Sequence, residues 1–183
     1  MKNKLSFTKP ESWIEIAPSR FDELNIKSTD LTPCLYAFAT KSFNGDSNLI
    51  TINDFSVFGE DYLADLDKQY SKLNLDREKI ERISKYIKDD PKNSFTHFNS
   101  MTCVYNKFHT LNNNKCYVCI LGFKSGEDFL FTLQVFVEIK NSIFCFNTAI
   151  KDPPKTHTLE TVINNHQHVN DLFKFVIKKL KLS

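Results

Sequence analysis

The stretch from Met101 to Ile150 limits the possible folds more than any other part of the chain. It divides into four runs, Met101–Phe108, Lys115–Phe123, Asp128–Glu138 and Ile143–Ile150, all rich in Val, Ile, Phe, Tyr and Thr. Short polar breaks separate them: Asn112-Asn113-Asn114, Ser125-Gly126-Glu127 and Lys140-Asn141-Ser142. Runs of β-branched and aromatic residues punctuated in this way read as strands joined by hairpins. Loops this short impose antiparallel pairing, because a parallel crossover needs about a dozen residues. The stretch therefore predicts an antiparallel β-meander.

The rest of the chain supplies elements to flank that sheet. Pro10-Glu-Ser-Trp13 leads into a short alternating strand, Ile14-Glu-Ile16, that ends at Pro18. The single Trp is expected to be a core anchor, since its large ring buries much area. Residues 19–33 are a polar connection without a clear period. Cys34–Thr40 is a second strand candidate, Asn44-Gly45 is a turn tolerant of positive φ, and Asn48–Phe58 is the returning strand. From Asn53-Asp54 onward one face of that strand is expected to be wet.

Glu60–Asn74 predicts a helix with Tyr62, Leu63, Leu66, Tyr70 and Leu73 on one stripe. Asp76–Lys88 predicts a second helix, with Ile80, Ile83 and Ile87 on one face and Asp89-Asp-Pro91 ending it. After the sheet-breaking Lys151-Asp-Pro-Pro154, Thr158–Leu182 predicts one long C-terminal helix. Its apolar stripe runs through Leu159, Val162, Ile163, Val169, Leu172, Phe173, Val176, Ile177 and Leu180, with His166 in line. Lysines 174, 178, 179 and 181 complement the helix dipole. Without an internal repeat or a linker, residues 1–183 read as a single α+β domain.

Composition narrows function chiefly by exclusion. With 41% hydrophobic and 25% charged residues, the chain has the balance of an ordinary globular protein. A net charge of +2 rules out nothing by itself, and it lacks the strongly basic balance that would suggest nucleic acid. Four glycines offer little material for phosphate-cradling loops, and no cofactor motif is present. No apolar run reaches the roughly 20 residues of a membrane span or the roughly 7–15 of a signal peptide core. Five cysteines, four of them inside predicted strands, suit reduced thiols and a cytoplasmic location.

The residues with chemical potential each have a structural explanation. Cys116 and Cys119 have the spacing of a redox or zinc pair, yet residues three apart on a strand face opposite ways. No second cysteine pair completes a zinc site, so no metal is expected. His166 and His168, two apart on a helix, would face about 200° apart and could not share a metal. His166 reads as a hydrogen-bonded core residue and His168 as a solvated one. His97, His109 and His157 fall at loops or strand ends. The carboxylate pairs Asp89-Asp90 and Glu127-Asp128 fall at turns, where Asp bonds the backbone. The lysine-rich end, Lys178-Lys-Leu-Lys181, reads as a solvated helix face.

The sheet carries the clearer signal. Along Asp128–Glu138, Phe129, Phe131, Leu133, Val135 and Val137 share one face. Leu130, Thr132, Gln134, Phe136 and Glu138 share the other, which is mixed. The neighbouring run is apolar on both faces, with Val118 and Ile120 on one and Tyr117, Cys119 and Leu121 on the other. Helices are therefore expected to cover one face fully and the second only in part, either with an open docking surface or beneath the helix near Glu60. Tyr105, Tyr117, Thr132, Gln134 and Phe136 are the candidate binding residues on mixed faces. Aspartate at Phe136 and Gln134 is expected to abolish binding without unfolding.

The order of elements resembles the PsbP-like superfamily. The resemblance rests on the Pro10-Glu-Ser-Trp13 opening, the hairpin strand Asn48-Leu-Ile-Thr-Ile-Asn53, the following helix, the meander and the C-terminal helix. Ser12 stands where that family usually has Gly. The group includes the photosystem II extrinsic subunit, the Ran-binding nuclear import factor and chaperones of type VI secretion effectors. The resemblance implies a protein-binding module without a shared catalytic site or cofactor. A chaperone- or adaptor-like protein holding an apolar helix or peptide against the sheet is the leading expectation. An immunity-type protein that neutralises a toxin by surface complementarity, and an enzyme with a dispersed Cys/His site, are the alternatives. The partner is expected to be another protein, and nothing in the sequence excludes a homo-oligomer.

Overall fold

The four runs are four consecutive antiparallel strands in the computed structural model, which describes residues 5–41, 47–73, 101–125, 128–150 and 158–182. They are β5 (Met101–Leu111), β6 (Asn114–Ser125), β7 (Asp128–Ile139) and β8 (Ser142–Ile150), following β1 (Leu5–Ser6), β2 (Trp13–Glu15), β3 (Cys34–Lys41) and β4 (Ser47–Asp54). Two of the turns are set by their residues. Asn112 and Asn113 have φ of 51° and 62°, and Lys140 and Asn141 have 48° and 64°. Positive φ at both central positions matches the twist of the flanking strands, as a two-residue hairpin requires.

β8 also pairs with β4, so the meander and the N-terminal strands join into one seven-stranded antiparallel sheet, ordered β2-β3-β4-β8-β7-β6-β5. β9 (Lys181–Leu182) pairs with β1, Leu5 facing Leu182, and ties the two ends of the described chain together. The Asn44-Gly45 turn and the helix expected over Asp76–Lys88 lie outside the described residues, as do His97, His157, Asp89-Asp90 and Lys151-Asp-Pro-Pro154. Among the described residues, no helix is long and apolar enough to cross a membrane.

Side-chain alternation divides the core in two. One face gathers Phe38, Ile50, Ile52, Val118, Ile120, Leu133, Val135, Val137 and Phe146 beneath the C-terminal arm, which contributes Val162, Val169, Leu172, Val176 and Leu180. Trp13 joins this face at 1% exposure, its ring 5.6 Å from that of Phe38. The opposite face carries Tyr117, Cys119, Leu121, Phe136 and Cys145 beneath α1 (Tyr62–Ser71), which buries Leu63 and Leu66. Cys116 and Cys119 do lie on opposite faces. All five cysteines are unpaired.

Three local departures from the expected pattern have physical causes. The strand expected to reach Phe58 stops at Asp54, whose Oδ1 accepts from the Ser56 backbone N–H at 2.9 Å and from its hydroxyl at 2.5 Å. That local turn competes with the ladder and starts a short 3₁₀ segment, Ser56–Phe58. A bulge between Cys103 and Tyr105 places Val104 as an extra residue in β5 and resets its alternation.

The single C-terminal helix is instead an arm in pieces. α2 (Leu159–Asn165) begins at Thr158, whose hydroxyl accepts from the Thr161 backbone N–H at 3.2 Å. It ends at His166, which is extended with φ −129° and ψ 103°. Its carbonyl accepts from Val169 and Asn170 to start α3 (Gln167–Asp171). A π segment, Leu172–Val176, and a 3₁₀ turn, Ile177–Lys179, complete the arm. Asn164 and Asn165 are weak helix formers just where the break occurs. The break turns His168 inward, so it is buried and not solvated, with Nε2 3.0 Å from the Ala149 carbonyl. The two imidazoles meet edge to face at 5.8 Å, where an unbroken helix would have separated them.

Candidate functional site

Two separate pieces of chain pack on the second face of the sheet. α1 covers the β5, β6 and β7 end. The connection after β2 covers the other end, burying Ile16, Phe21 and Ile26 against Ala37. A cleft of about 250 Å³ remains between them.

Strand register builds the floor. Gln134 on β7 pairs with Asn147 on β8, and Asn147 with Thr51 on β4. Asn53 pairs with Cys145 two residues along, on the same face. The central strands thus carry a band of uncharged polar side chains across a sheet that is apolar on either side of it. Ile26, Leu49 and Phe55 supply apolar wall, and Asn25, Lys27 and Thr32 the outer rim.

The polar groups are partly committed. Asn53 donates its Nδ2 to the carbonyls of Lys27 at 3.2 Å and Thr32 at 3.1 Å, which ties the connection to β4. Thr132 donates its hydroxyl to Asn147 Oδ1. The Cys119 thiol lies 3.7 Å from Gln134 Oε1. Gln134 Nε2 and Asn147 Nδ2 have no protein acceptor among the described residues, and both side chains are half-buried at the cleft floor. Amide donors at such a place remain available to a ligand.

The cleft does not gather reactive groups. Cys145 is its one thiol, and burial pushes that thiol far above its ordinary pKa, disfavouring the nucleophilic thiolate. Among the described residues, no carboxylate or imidazole lines it. Among the described residues, no three His, Cys, Asp or Glu side chains are placed to hold a metal ion.

The five candidate residues separate on folding. Thr132 and Gln134 meet the polar band. Tyr117 and Phe136 share its face but lie 0% and 1% exposed beneath α1, among Phe55, Tyr62 and Tyr70. They are core and offer no surface to a partner. Tyr105 lies on the other face, because the bulge before it reversed the alternation; its hydroxyl is 2.8 Å from His109 Nε2. Asn53, Asn147, Thr51 and Phe55 complete the cleft without having been candidates. For Thr51, Asn53 and Asn147 the signal was polar residues at alternating positions of otherwise apolar central strands, Thr51 and Asn53 in Ile50–Asn53 and Asn147 in Phe144–Ala149; Phe55, beyond the strand, carried none.

No family model matches the chain, and no curated protein matches it. Among solved structures, it is similar to PA94 of Pseudomonas aeruginosa, a protein of unknown function, with a TM-score of 0.41 and 7% identity over 95% of this chain and 82% of that one. It is also similar to LpqN of Mycobacterium tuberculosis, involved in cell envelope biogenesis, with a TM-score of 0.46 and 10% identity over 100% of this chain and 84% of that one.

Proposed function

We infer that this chain is a non-enzymatic binding module, chaperone- or adaptor-like, that receives an extended peptide segment of a partner protein in the amide-lined cleft. The observation that carries this reading is the pair of unengaged amide donors, Gln134 Nε2 and Asn147 Nδ2, half-buried between apolar walls. An uncharged amide can donate to a main-chain carbonyl and accept from a main-chain N–H, which suits peptide backbone better than a charged ligand. Leu49, Ile26 and Phe55 would take the partner's apolar side chains. The resemblance of the element order to PsbP-like proteins, which act by binding other proteins, supports the same reading.

The experiment is selection of a random peptide library on the immobilised protein, followed by fluorescence anisotropy with the recovered peptide. Leucine at Gln134 and Asn147 keeps side-chain bulk and removes the amides. Leaving the peptide's buried polar groups unpaired should weaken binding about tenfold or more per site. Selection of no peptide, or equal affinity in the Gln134→Leu/Asn147→Leu protein, would reject the cleft.

A further inference from the structure

The core under the C-terminal arm stays open at one end. There the β5–β6 turn and the arm part, leaving a groove of about 460 Å³. Its floor is Leu111 from β5 with Ile163, Phe173 and Ile177 from the arm. Phe173 and Ile177 are 9% and 1% exposed and belong to the cluster that fills the sheet's first face. The groove therefore runs off the main core and is of a size that small-molecule sites use, roughly 300–1,000 Å³.

Its other lining is polar, with Thr110, Asn112 and Asn170 beside two lysines that make its charge cationic. Lys174 and Lys178, four residues apart and both exposed, stand on the arm side. Among the described residues, neither has a carboxylate partner and no carboxylate lines the groove. Lys174 Nζ lies 5.1 Å from the centroid of the Phe175 ring. The wall between floor and rim is the π segment, Leu172–Val176, and single π turns inside helices are frequent at functional sites. Apolar floor and an ammonium rim without carboxylate partners together complement a molecule with one anionic end and one hydrocarbon chain.

We propose that this groove is a second binding site, for a single-chain fatty carboxylate whose chain lies along the half-buried Leu111 and Ile163 and the edge of Phe173 and whose carboxylate meets Lys174 and Lys178. The site lies on the opposite face of the sheet from the cleft and does not depend on the function inferred for it.

Isothermal titration of the full chain with dodecanoate, below its micelle concentration, tests the assignment. Saturable one-to-one binding is expected. Decanoate, two methylenes shorter, should bind about 15-fold more weakly, from roughly fourfold per buried methylene. Lys174→Glu/Lys178→Glu should lose at least tenfold with an unchanged melting temperature, since both side chains are exposed. Ile163→Trp, which fills the floor, should lose as much by a separate route. Dodecyltrimethylammonium should not bind, and Gln134→Leu should leave the dodecanoate affinity as it was. No saturable heat with dodecanoate, equal binding of the cationic amphiphile, or undiminished affinity in the folded lysine variant would overturn the proposal. Loss of dodecanoate binding in Gln134→Leu would also overturn it, by moving the ligand to the cleft.

Discussion

Phe136 decides whether the aromatic cluster under α1 is core or docking surface. Its side chain is 1% exposed, and its ring centroid lies 5.4 Å from that of Phe55, 6.1 Å from Tyr62 and 6.4 Å from Tyr117. Removing a fully buried phenylalanine ring costs about 3–5 kcal/mol, from lost transfer energy and the cavity left behind. Total stability is of order 5–15 kcal/mol, so Phe136→Ala should remove about a fifth or more of it. In urea, with a slope of about 2 kcal/mol per molar, the midpoint should fall by about 1.5–2.5 M with the slope unchanged. Phe58 is the control: it stacks on Tyr62 at 4.7 Å but is 43% exposed, so Phe58→Ala should cost about 1 kcal/mol or less. Equal small losses in both variants would refute the assignment of Phe136 to the core. The same burial makes Phe136→Asp a folding mutation, because a carboxylate there would be buried without a partner. The amide substitutions in the cleft test binding without that confusion.

Two further measurements follow from buried titratable groups. His168 is held below the ordinary histidine pKa of 6.5, chiefly by burial, and His109 is lowered in the same direction by burial and by Lys107. The unfolded chain therefore binds more protons than the native one below that pH, so stability should be full above about pH 6.5 and decline as the pH falls through and below it. His168→Gln should flatten part of that decline in urea titrations at pH 7.5 and 5.5; an unchanged slope would show that other groups set it. Thiol alkylation at neutral pH should label Cys34 first, because it is the one cysteine not fully buried. Cys103 and Cys116, each pushed up to about 12 by burial, should react only as fast as the protein opens, as should Cys119 and Cys145. Rapid labelling of any of those four would revive a dispersed thiol site.

Much of the architecture was legible in the chain because it depends on local signals. The meander follows from alternation and short turns, and the strand faces of β6 and β7 follow from parity alone. What escaped came from competition between local bonds and the regular pattern. One extra residue at Val104 moved Tyr105 to the other face. The Asp54 side chain closed a turn where the hydrophobic pattern would have continued a strand. The apolar stripe of the arm persists through the break at His166, and so Val162, Val169, Leu172 and Val176 are buried as periodicity expects although the helix is not continuous.

The cleft was legible only in part, for a different reason. Gln134 and Thr132 sit within the most readable strand, and their polarity on a half-apolar face is visible along the chain. Their meaning depends on Asn147 and Thr51 standing beside them, which follows from β8 pairing with β7 on one side and β4 on the other. The β4–β8 pairing joins residues nearly a hundred positions apart and has no turn to announce it. It also explains why the polar band survives at the centre of a sheet. Buried amides are tolerated where they bond one another or the covering chain, as Thr132 does to Asn147 and Asn53 to Lys27 and Thr32. Donors that are only half-buried can instead face water or a ligand. Gln134 and Asn147 each keep one open toward the cleft, at the seam where α1 and the N-terminal connection stop short of each other. Asn147→Leu removes both that open donor and the Oδ1 that Thr132 bonds, but Thr132 also donates to the Thr148 carbonyl at 3.2 Å, so the variant should lose about 1 kcal/mol or less in urea titration; a loss of about 3 kcal/mol would show that the amide is held in place for structure.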